Sequence, residues 1–111
     1  MVKTANARRG DVVLVDLDPT MGKEIRKTRP CVVVSPDELN HHLQTCIVAP
    51  MTTGGRAYPF RIDCRFQGKN GFVVLDQIRT IDRNRVVRTL GQLSTQSLNA
   101  ALNALQEMFA P

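Results

Sequence analysis

Four basic side chains crowd the stretch KEIRKTR, residues 23–29: Lys23, Arg26, Lys27 and Arg29, set against the single carboxylate of Glu24. Arg29 is followed by Pro30 and then by an apolar run, Cys31 to Val34. A guanidinium at the mouth of a buried strand is held stiffly, and its planar fork matches two oxygens of a phosphate. Thr52 and Thr53 stand at the end of another apolar run and offer hydroxyl donors. Cleavage of RNA without a metal uses the RNA's own 2′-OH as nucleophile. Three services follow: a base for the 2′ proton, an acid for the 5′ leaving oxygen, and donors for the charged phosphorane. Arg29 suits the clamp, Thr52 and Thr53 suit the donors, and Glu24 is the one carboxylate of the basic loop. These residue types carry no spacing rule, so by themselves they form a constellation and not a motif.

Charge across the chain points to the same class of partner. Fifteen Lys and Arg against ten Asp and Glu give a net charge of +5 in 111 residues. A small basic domain suits a polyanion, most often a nucleic acid. A second basic stretch, residues 79–88, sets Arg79, Arg83, Arg85 and Arg88 against Asp82. Such runs are usually solvated faces; the stretch at 23–29 differs because it abuts a buried strand. Aromatic residues are few: four Phe, one Tyr and no Trp. Only Tyr58, with Phe60 or Phe66, could stack on bases, so a stacking platform is not the expected grip. His41 and His42 are adjacent and unsuited to chelating one ion together, and no Cys neighbours them at ligand spacing. Cys31, Cys46 and Cys64 read as small apolar residues of a reducing compartment. With no signal peptide and no apolar run of membrane length, the expected location is cytoplasmic.

The length is that of one domain, residues 1–111, with 1–8 as a flexible basic arm. Short strands are expected at 11–19, 29–35, 45–51, 60–66, 72–78 and 86–93, and helical turns at 36–43 and 80–87. The run at 45–51 is apolar throughout, which predicts burial on both faces. The tail, 94–110, places Leu98, Ala101, Leu102, Leu105, Met108 and Phe109 on one helical stripe, with Ser94 as its N-cap. Strands punctuated by turns and followed by one helix predict a small curled sheet or barrel with a docked C-terminal helix.

Four short stretches, in order, are RGDVVLVDLDPTMGKE (9–24), TRPCVVVSP (28–36), IVAPMTT (47–53) and DQIRTID (76–82). Together they resemble the MazF/PemK family of toxin endoribonucleases, also called mRNA interferases. The resemblance implies an SH3-like β-barrel with a C-terminal helix, usually a homodimer. It implies sequence-specific cutting of single-stranded RNA, often mRNA, without metal or other cofactor, leaving 2′,3′-cyclic phosphate and 5′-hydroxyl ends. It also implies an antitoxin partner, expected to be an acidic, partly disordered segment. On this resemblance the essential Arg falls on Arg29, the essential Thr on Thr52 and the loop Glu on Glu24. Asp76, Gln77 and Arg79 fall on the stretch that lines the RNA groove, to which Arg26, Lys27 and Thr53 add charge and hydroxyl. One departure stands out: many members carry Gln-x-Gly after the loop Glu, where this chain has Ile25, Arg26 and Lys27. A stiffer, more basic loop predicts salt-sensitive RNA affinity.

Two other readings use the same barrel. A CcdB-like toxin that binds gyrase does not need the Arg-Pro and Pro-x-Thr-Thr pair, and this chain has both. An RNA-binding module without catalysis does not need Arg29, Thr52 and Glu24 together.

Overall fold

The structure, a computed structural model, describes residues 7–111. Among the described residues there are seven strands: β1 (Asp11–Asp16), β2 (Thr28–Val33), β3 (Thr45–Thr52), β4 (Arg61–Phe66), β5 (Lys69–Val74), β6 (Arg79–Asp82) and β7 (Val86–Gln92). A short helix α1 (Asp37–Asn40) precedes β3, and α2 (Thr95–Phe109) ends the chain. Every strand pairing is antiparallel, in the order β4-β5-β3-β2-β1-β7. Strand β3 is the hub. Its first half, Thr45–Val48, pairs with β6, and its last two residues, Met51 and Thr52, pair with β5. The sheet curls into a small barrel-like body without closing, since β4 and β7 remain its ends among the described residues.

The apolar runs of the three central strands exist because both of their faces are covered. Val13 and Val15, Cys31 and Val33, and Cys46 and Val48 enter one core cluster with Leu17 and Ile81. The alternate residues Val12, Val32, Ala49 and Met51 enter a second, with Val73, Leu75 and Leu93. Helix α2 lays Leu98, Ala101, Leu102, Leu105 and Met108 on that second cluster. Its cap is as expected: the Ser94 hydroxyl accepts from the Ser97 N–H at 3.1 Å. Phe109, the last residue of α2, departs from the expected stripe: it joins neither core cluster and is 71% exposed. All three cysteines are free and buried. Burial pushes the Cys31 thiol up to about 12, so it behaves as a small apolar side chain at neutral pH.

Several element limits differ from those expected. Strand β1 stops at Asp16, and β5 begins at Lys69 and gives way at Leu75–Gln77 to a single 3-10 turn. The segment expected as a helical turn at 80–87 is mostly strand: Arg79–Asp82 is β6, and only Arg83–Arg85 is helical. A four-residue strand with one buried apolar residue, Ile81, is too short to show its period; its pairing with β3 decides it. Of the arm expected at 1–8, residues 1–6 lie outside the described residues, while Ala7 packs into the first core cluster.

One buried polar knot ties α1 to β3. The Ser35 hydroxyl donates to Asn40 Oδ1 at 2.5 Å, Asn40 Nδ2 donates to the Ser35 carbonyl at 2.8 Å, and the Ile47 N–H donates to Ser35 Oγ at 3.0 Å. Asn40 is fully buried. Asn40→Ala strands its partners out of reach of water and is expected to cost about 2–3 kcal/mol, read from the urea midpoint at unchanged slope.

Candidate functional site

Arg29 sits in β2 with β1 on one side, where it pairs with Val15. On the other side Cys31 pairs with Pro50, Val32 with Ala49 and Val33 with Val48. The pairing ends at Cys31 and Pro50, two residues short of Arg29 and Thr52, and these two line one cavity at its end. The sheet thus brings together two residues that lie far apart in the chain. Arg29 Nε donates to the Arg26 carbonyl at 3.1 Å, and its two Nη groups donate to nothing among the described residues. The stem of the guanidinium is fixed and its outer edge is exposed to solvent. Arg29, Thr52 and Thr53 line a cavity of about 210 Å³, with Lys69 and Gly71 of β5 completing the polar and backbone side of the wall. The Thr52 hydroxyl donates to the Gly54 carbonyl at 3.1 Å, so its lone pairs face outward until an acceptor displaces that bond.

Glu24 is elsewhere. It lines a larger cavity of about 730 Å³ together with Lys23, Pro50, Asp76, Gln77 and Arg79. Its Oε1 accepts from the Met21 N–H at 2.7 Å. Three ties hold the loop that carries it. The Leu17 N–H donates to the Lys27 carbonyl at 3.0 Å, the Ile25 N–H donates to Gln77 Oε1 at 2.7 Å, and Arg79 Nη1 donates to the Leu17 carbonyl at 3.1 Å. Gln77 and Arg79 therefore brace the loop with part of their hydrogen-bonding capacity. Arg26 and Lys27 line neither cavity; both are exposed at the stem of the loop.

Asp76 is paired with Arg61, Nε to Oδ1 and Nη2 to Oδ2, each at 3.0 Å. These bonds hold its carboxyl below the usual range, against a smaller opposing push from burial. The pair contributes fully above the unfolded Asp pKa, about 3.9, and its contribution is lost as pH falls through the lower folded value. At neutral pH Asp76 is an acceptor only. Among the described residues no group of three or more His, Cys, Asp or Glu is placed to hold a metal ion. No helix among them is long and apolar enough to cross a membrane.

The sequence did not single out Lys69, Gly71 or Arg61. Nothing near them in the chain marks them; Lys69 and Gly71 reach the cavity only through the β3–β5 pairing, and Arg61 meets Asp76 fifteen residues away.

Residues 8–109 match the family model for the PemK-like, MazF-like toxin of type II toxin–antitoxin systems. The chain belongs to this family. Among relatives of this MazF-like chain, the endoribonuclease MazF of Staphylococcus saprophyticus is 36% identical over 106 residues, covering 88% of this chain and 87% of that one. The endoribonuclease toxin MazF of Escherichia coli K12 is 39% identical over 72 residues; the chain spans 65% of that relative's length, and 65% of this chain is matched. The crystal structure of MazF from Deinococcus radiodurans superposes with a TM-score of 0.80 at 26% identity, over 91% of this MazF-like chain and 94% of that one.

Proposed function

We propose that this protein is the toxin of its toxin–antitoxin pair and acts in the cytoplasm as a sequence-specific endoribonuclease on single-stranded RNA, mRNA or rRNA, so that translation and growth stop. The observation that carries this reading is the meeting of Arg29 and Thr52 in the wall of one exposed cavity, at the end of the β2–β3 pairing. The scissile phosphate docks there. Arg29 grips two non-bridging oxygens with its free edge, Thr52 donates its hydroxyl to the phosphorane, and Lys69 adds a second cation. The 2′ oxygen forms its bond to phosphorus as the bond to the 5′ oxygen breaks, and the leaving 5′ alkoxide, a stronger base than guanidine, takes a proton from the Arg29 guanidinium, which water then restores. The products are a 2′,3′-cyclic phosphate and a 5′-hydroxyl, and no metal is required. The RNA runs on into the larger cavity, where Asp76, Gln77 and Arg79 meet its bases.

Glu24 takes the 2′ proton, and bound RNA draws its loop toward Arg29. Arg29 itself is a poor base, because its guanidinium is already protonated near neutral pH. Glu24→Gln is expected to slow cleavage by about 10²-fold or more while keeping RNA affinity, since the amide retains an oxygen for the Met21 N–H. Single-turnover cleavage beside filter binding separates the two effects. Undiminished cleavage removes Glu24 from the role.

The family's place in type II toxin–antitoxin systems supports an antitoxin partner, an acidic segment that crosses the basic surface of a homodimer. The decisive test is digestion of a long single-stranded RNA in EDTA, with mapping of the new 5′ ends and Arg29→Ala as control. Cuts sharing a short motif and absent from the control are expected. RNA that is bound but uncut favours the binding module, and growth arrest relieved by altered gyrase favours the CcdB-like reading.

A further inference from the structure

The loop between β3 and β4 carries the one tyrosine of the chain, Tyr58, which is 62% exposed. It does not stand alone. The Arg61 guanidinium lies over its ring, 5.2 Å from the centroid. The same guanidinium grips Asp76 through Nε and Nη2. Tyr58, Pro59, Arg61 and Asp76 line a cavity of about 430 Å³, and Asp76 also lines the larger cavity beside Glu24 and Gln77. Asp76 therefore stands in the wall of both spaces. Arg61 ties an aromatic ring and a carboxylate into one unit at the end of the groove.

We propose that Tyr58, Arg61 and Asp76 form a nucleobase subsite that fixes part of the RNA sequence preference. This rests on the RNA-cleavage reading and adds the group that grips one base of the substrate. The base stacks on the face of Tyr58 that Arg61 leaves open; the cation on the other face stiffens the ring's position. Each Asp76 oxygen keeps a lone pair beyond its bond to Arg61, so the carboxylate accepts from an exocyclic amine. Adenine, cytosine and guanine present such an amine. Uracil has none: its single N3–H is flanked by two carbonyl oxygens that repel the carboxylate, so it is disfavoured.

Because the chain has one Tyr and no Trp, its intrinsic fluorescence reports Tyr58 alone. The test titrates the protein with 2′-O-methyl RNA octamers of adenosine, cytidine or uridine, which bind but cannot be cut. Quenching is expected with the adenosine and cytidine octamers at affinities about 10-fold tighter than with the uridine octamer. Tyr58→Leu should weaken the first two by about 10-fold in filter binding, and Asp76→Asn should shrink their advantage over uridine. Unchanged fluorescence with all three octamers, or unchanged affinity in Tyr58→Leu, overturns the subsite; equal affinity for all three overturns base reading by Asp76. The digest in EDTA keeps the two readings apart. Quenching without cuts supports the subsite and overturns cleavage, whereas cuts without quenching overturn the subsite alone.

Discussion

Arg29→Lys is expected to fold normally and to cut RNA about 10²–10³-fold more slowly, equivalent to about 3–4 kcal/mol of transition-state stabilisation. The substitution keeps the positive charge, so it isolates geometry. Arg29 uses Nε to hold the Arg26 carbonyl and presents its two Nη groups as a fork. Lysine has no second edge: its ammonium is a point charge that cannot be tethered and grip two oxygens in one plane at once. Folding should survive because Arg29 is exposed and its backbone, paired to Val15, is untouched. Single-turnover cleavage of one defined RNA gives the rate, and a thermal melt gives the stability. If lysine cuts as fast as arginine, charge alone suffices and the clamp is not the source of catalysis. Arg29→Ala loses the charge as well and should be slower still.

The sequence was most legible where local pattern and tertiary demand agree. The Val-rich runs of β1 to β3 are apolar without interruption because alternate residues serve two core clusters, and that shows in a plain reading of the chain. The α2 stripe shows for the same reason, and so does its Ser94 cap. Legibility fails where partners are remote. Strand β6 has four residues and is a strand because β3 is beside it. Asp76 and Gln77 look like free hydrogen-bonding groups in the sequence, yet Arg61 holds the first and the Ile25 N–H the second. Glu24 and Arg29 are near neighbours in the chain but line different cavities, because the loop folds toward Gln77 before β2 begins. Arg29 and Thr52 can be picked out by chemistry and by family resemblance. That they line one cavity depends on the β2–β3 pairing, which no single stretch contains.

Gly71 puts that dependence on strand pairing to the sharpest test. Strand β5 pairs Phe72 with Thr52, and at Gly71 the two backbones come closer than a side chain allows. A Cβ on residue 71 would stand 1.8 Å from the Thr52 carbonyl oxygen and 2.9 Å from its carbon. Both are backbone atoms, so no rotamer change relieves the clash. Either β5 withdraws or Thr52 moves, and the cavity shared by Arg29, Thr52 and Lys69 deforms with it. Gly71→Ala is therefore expected to cost about 3 kcal/mol, at the upper end of ordinary overpacking. It should also slow cleavage by about 10²-fold, the effect of misplacing a catalytic group by about 1 Å. The two effects separate by temperature, since lost stability alone is recovered in a cold assay and a displaced Thr52 is not. Gly54→Ala is the control from the same region, because a Cβ there meets nothing within 4 Å. A Gly71→Ala protein that cuts normally in the cold would show that β5 yields and β3 does not, and would limit the requirement at Thr52 to its hydroxyl.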